Sequence, residues 1–129
     1  MLLIYNDPDL LEQMPSREFD VTMRGCLEHA DEMKQEGSLL ESQMLEEPST
    51  ARSVRVRKGR LTAVDGPFAE TKEVLGGFNL IEAKDMEEAV QIAAQFPWTR
   101  TGCVEIRPVL DIEGVRRRVM SAEAPETAR

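Results

Sequence analysis

One histidine and two cysteines are all that this 129-residue chain offers of the side chains that most often hold metals or build redox centres. Neither Cys26 nor Cys103 has ligand spacing around it, and the two fall on separate elements, so a zinc site and a disulfide are both set aside. There is no glycine-rich phosphate cradle and no Ser/His/Asp nucleophile set, and hence no expected cofactor. Positive charge is scarce too. Sixteen Lys and Arg against 24 Asp and Glu leave a net charge of −8, which argues against direct binding of nucleic acid. No apolar run approaches a membrane span and no basic leader precedes Met-Leu-Leu-Ile-Tyr, so a cytoplasmic protein without a membrane partner is expected. With 41% hydrophobic residues the chain is long enough for one core, and a single domain over residues 1–110 is expected.

What is present is a regular alternation of patterns. MLLIYN places Leu2 and Ile4 on one face and Leu3 and Tyr5 on the other, which predicts a central strand covered on both sides. Residues 6–15 carry turn formers. Ser16 is then placed to cap a helix from Arg17 whose stripe is Phe19, Met23, Cys26, Leu27, Ala30 and Met33, closed by Gly37. Residues 38–46 predict a second strand. In SVRVRKGRLTAV, a Lys58-Gly59 connection pairs Val56 with Leu61 and Val54 with Ala63, leaving Arg55, Arg57, Arg60 and Thr62 on the opposite face of a hairpin. FNLIEA, again apolar on both faces, predicts the second central strand. Asp85 and Glu88 suit the start of a second helix with a stripe of Met86, Ala89, Val90, Ala93 and Phe96, and CVEIRPV predicts the last strand. Residues 111–129 are polar and weakly patterned, which predicts a tail held only by a partner.

This order is the duplicated βαβ plan of an α+β, ferredoxin-like antiparallel sheet with both helices on one face and an extra β-hairpin before the loop DGPFAETKEVLGGF. Two helices cover only one side of two strands that are apolar on both sides. A second copy of the chain stacked face to face is the economical cover, giving a homodimer.

The DGPF run, preceded by VRVRKGRLTAVDG and followed after a helix by GCVEIRPV, resembles the YCII-related, DGPF-domain family over residues 1–110. The resemblance implies a dimeric α/β barrel among small bacterial proteins of mostly unknown function. Some of these are linked to alternative sigma factors, and one relative resembles a lyase that removes chloride from an aromatic ring with a His–Asp pair. That pair places its His about three turns before the closing Gly of the first helix. This chain has Cys26 in that neighbourhood and Gln35 or Glu36 where the Asp would stand, with His29 about one turn later.

Two readings stand for each candidate residue. Asp65 at a strand end and Lys72 between two glutamates either shape a rigid, solvated loop or face an inter-subunit cleft and bind a polar ligand. Glu105 and Arg107 share the helix-free face as an interface ion pair or as ligand-binding groups. His29 is an edge residue or, with Asp65, a catalytic group for proton transfer. Phe68 is expected to plug an apolar gap, and Cys26 to be a buried thiol. The expected function is binding of a small polar or aromatic molecule in the inter-subunit cleft, with a cofactor-independent reaction of lyase type left open rather than assigned. The alternatives are a regulatory module that binds a sigma factor through its basic hairpin, and a non-catalytic member that keeps only the fold.

Overall fold

The computed structural model describes residues 1–122; residues 123–129, the end of the expected polar tail, lie outside them. Six strands and four helices follow in order: β1 (Leu2–Asn6), α1 (Pro8–Gln13), α2 (Ser16–Glu36), β2 (Leu39–Met44), β3 (Arg52–Arg57), β4 (Arg60–Asp65), β5 (Val74–Ile81), α3 (Met86–Ala94), β6 (Gly102–Ile106) and α4 (Ile112–Ser121). The main sheet has the order β2-β5-β1-β6, and every pairing in it is antiparallel. The two strands apolar on both faces are thus the two in the middle, and the fold is α+β and ferredoxin-like.

Alternation along β1 separates two environments. Leu2 and Ile4 point into a core that they share with Met33 of α2, Leu39, Ala93 of α3, Phe96 and Trp98. Partly buried Ile81, Val104 and Ile106 join them from the neighbouring strands. Leu3, Tyr5, Phe78 and Leu80 have the opposite parity and are only half-buried, because no helix lies over them.

A bulge in β5 lets one strand serve both environments. Ile4 pairs with Gly77 and Tyr5 with Leu75, so Gly76 is the extra residue and Leu75 turns to the helix-free side beside Tyr5. The pair of glycines is needed at this spot: a β-carbon on Gly77 would lie 2.6 Å from the carbonyl oxygen of Gln43 on β2.

Several local expectations are corrected. The cap of α2 is Pro15, with no side-chain hydrogen bond, and Ser16 is already the first helical residue. On α2 Leu27 is 54% exposed, and on α3 Met86 and Val90 are 47% and 50% exposed, so the buried stripes are narrower than their periodicity suggests. Residues 8–13 form a helix begun by Pro8 and capped by Asp7, whose carboxylate accepts a hydrogen bond from Asp9 N–H at 3.0 Å. The weakly patterned stretch after residue 110 contains α4, capped by Asp111 through Gly114 N–H at 3.0 Å. Asp85 caps α3 as its position predicts, accepting from Glu88 N–H at 2.9 Å.

The hairpin β3–β4 is a separate two-stranded sheet. Val54↔Ala63 and Val56↔Leu61 are in register, with Lys58 and Gly59 both at positive φ in the turn. No residue of β4 is buried.

Candidate functional site

A cavity of about 580 Å³ opens at the end of the helix-free face where β1 finishes and β5 begins. Its floor is Tyr5 and Leu75, brought side by side by the bulge. One wall is the β2–β3 connection, including Leu45 and Pro48, and the other is the DGPF loop, including Phe68.

The loop owes its path to β3. Gly66 N–H donates to the carbonyl of Ala51 at 2.7 Å, Ser53 Oγ donates to the carbonyl of Gly66 at 2.8 Å, and Arg55 donates to the carbonyl of Phe68 at 3.3 Å. Gly66 itself sits at φ 96°, where an L side chain would be strained. Pro67 then carries the chain over the cavity. Phe68, expected to plug an apolar gap, borders this mainly apolar cavity but is 78% exposed rather than buried. The turn chemistry sets the loop's direction, and Phe68 is not among the residues packed against the hydrophobic core.

The five residues singled out from the sequence are spread over the molecule. Asp65 is exposed and pairs with Arg52 across the base of the hairpin at 3.2 Å. Lys72, rather than pairing with the glutamates beside it, lies 3.7 Å from Asp7, whose side chain is only 7% exposed. Glu105 near the end of β6 pairs with Arg107 just beyond it, and Arg107 borders a second cavity of about 580 Å³ near Met1, Leu80 and Met86, at the opposite end of the sheet. His29 belongs to the helix layer: its ring centroid is 5.5 Å from that of Phe96, tilted by 60°, and its buried Nε2 has no hydrogen-bond partner among the described residues. The sheet therefore separates His29 from Tyr5 and the first cavity. Cys26 is half-buried in the same layer, where burial pushes its thiol up from the ordinary value of 9.0 against a smaller opposing effect of its hydrogen bond with Trp98.

The residues that do converge on the first cavity include Tyr5, Phe68, Leu75 and three carboxylates, Glu46, Glu47 and Glu73. Sequence patterning missed most of these because they come from four segments that meet only in the fold. The one signal was the two-faced β1, which commits Tyr5 to the side away from the helices. Among the described residues no group of three His, Cys, Asp or Glu side chains is placed to hold a metal ion, and no helix is long and apolar enough to cross a membrane.

The chain is 32% identical over 110 residues to Uncharacterized protein R00369 of Rhizobium meliloti (strain 1021), an alignment that covers 84% of this chain and 89% of that protein. A family model for the YCII-related domain matches residues 1–113, the whole of the sheet together with the loop that roofs the cavity. The chain belongs to the YCII-related domain family.

Proposed function

We propose that this chain is a small-molecule-binding protein whose ligand occupies the cavity between the DGPF loop and the β2–β3 connection. The observation that carries this reading is the cavity itself. About 580 Å³ lies within the size range of ligand sites, the walls are mainly apolar, and the roof is a loop held by two hydrogen bonds to β3 and one to Ala51 just before it. A second copy of the chain covers the remaining helix-free face, where Leu3, Phe78 and Leu80 are half-buried and Leu75 is 41% exposed. A lyase-type reaction in this cavity would draw its proton-transfer group from Tyr5 or a bordering glutamate, since His29 lies across the sheet.

A thermal-shift screen against hydroxylated aromatics, amino acids and organic acids tests the reading, because a ligand specific for the folded state raises the melting temperature by linkage. Ala51→Trp, which fills the cavity from its wall, should abolish the shift while the far-ultraviolet circular dichroism stays unchanged. An equal shift in that variant would remove the cavity from consideration.

The hairpin favours a second, regulatory reading. Arg55, Arg57 and Arg60 gather positive charge in an acidic chain, and on the other face Val54, Val56 and Leu61 are each more than half exposed. Such an arm suits an acidic protein partner such as a sigma factor. Pull-down of a sigma factor by the native chain, lost in an Arg55/Arg57/Arg60→Glu variant, is the expected result; absent or unchanged binding ends this reading.

A further inference from the structure

We infer that the cavity under the DGPF loop selects an organic cation, a protonated or quaternary amine carrying an aromatic ring or a short hydrocarbon, over neutral and anionic molecules of the same shape. The inference rests on the cavity being a binding site and adds the chemical class of its ligand.

Charge at the lining is of one sign. Glu46, Glu47 and Glu73 border the space, and no Lys or Arg does. Of the nearby cations, Arg52 pairs with Asp65 and Lys72 lies beside Asp7, while Arg55 stays outside the lining and is held by its hydrogen bond to the carbonyl of Phe68. Ser49 Oγ lies 3.4 Å from Glu47, whereas the carboxylates of Glu46 and Glu73 take part in none of the ion pairs found among the described residues.

The neutral polar groups of the lining are largely spent. Ser53 Oγ donates to the Gly66 carbonyl, Thr50 Oγ to the Glu47 carbonyl at 2.7 Å, and Thr71 Oγ to the Glu73 carbonyl at 2.5 Å. An anionic ligand would find no cation in the lining, which carries three glutamates. A cation meets those carboxylates together with the rings of Tyr5 and Phe68, whose faces attract positive charge, and apolar walls at Leu45, Pro48 and Leu75 for its hydrocarbon part. Aromatic faces combined with carboxylates are the composition that recognises ammonium groups in water.

The three glutamates are exposed, so solvent screens them and the preference is moderate. Three probes share one ring and chain length and differ in charge: 2-phenylethylamine, 2-phenylethanol and phenylacetate. Titration calorimetry on the full chain at low salt should rank them in that order, with about five-fold in Kd between neighbours, and about 0.5 M salt should compress the spread. Glu46→Gln/Glu73→Gln should bring the amine and the alcohol to within about two-fold of each other, the amine losing the larger share of its affinity.

Phenylacetate binding as tightly as the amine, or an unchanged order in the double variant, overturns the selectivity while leaving the binding site standing. Failure of all three probes to bind the native chain overturns the inference, while the thermal-shift screen decides the site itself. Amine binding that survives the cavity-filling Ala51→Trp places it elsewhere on the acidic surface and overturns the inference as well.

Discussion

Lys72 Nζ lies 3.7 Å from Oδ2 of Asp7, which ties the DGPF loop to the residue where β1 ends and α1 begins. The two partners differ in surroundings, 81% exposure for the lysine side chain against 7% for the aspartate, so their substitutions have unequal effects. Asp7→Ala removes the cap of α1 as well as the pair and should cost about 1–2 kcal/mol in urea denaturation. Lys72→Met, acting at a screened pair, should cost less than about 0.5 kcal/mol. Its effect should show instead as faster hydrogen exchange or proteolysis within residues 66–73, and an equal stability loss in both variants would contradict this account.

Gly66→Ala forces an L side chain into φ 96° and should introduce about 1–2 kcal/mol of strain at the loop. Because the hydrogen bonds on either side of Gly66 hold the cavity roof, ligand-induced thermal shifts should fall by more than half in the same variant. A shift equal to that of the native chain would show that the loop finds its path without this residue.

Phe78→Glu places a charge at the centre of the helix-free face, in contact range of Leu3 across the ladder. Sedimentation of the native chain should give twice the monomer mass of 14.5 kDa, and the variant should sediment as monomer at micromolar concentration while keeping its circular dichroism. A monomeric native chain would refute the proposed cover.

Cys26 provides a pH test. Its thiol has a raised value in the folded chain through burial, so the folded state holds that proton more tightly than the unfolded one. The associated stability is fully present below the ordinary thiol value of 9.0 and is lost as pH rises through the folded value. Alkylation near neutral pH should therefore modify exposed Cys103 well before Cys26, and Cys26→Ala should flatten the fall in denaturation midpoint above pH 9.0. Equal alkylation rates would contradict the burial argument.

The strands and their order follow from the chain because each rests on a local pattern with one physical solution. β1 and FNLIEA are apolar on alternate and intervening positions alike, which commits them to the middle of the sheet. Lys58-Gly59 fits a tight turn and so sets the register of the hairpin. What the patterns concealed depends on tertiary contact. Gly76-Gly77 looks like a break, yet β5 runs through it because those residues pack under Asn6 and against Gln43. Ser16 has capping chemistry, but Pro15 before it ends the extended segment one residue earlier. The cavity had no motif of its own: Tyr5, Glu46, Phe68 and Glu73 are far apart in the chain, and only the bulge and the loop's hydrogen bonds to β3 bring them together.

The bulge at Gly76 also decouples two selective pressures. Beyond it, Asn79 and Ile81 are constrained by the interior; before it, Leu75 answers only to whatever fills the hollow beside Tyr5. Under the proposed binding role, the front of the strand can therefore change its side chains to suit a different ligand while the rear half holds the scaffold constant.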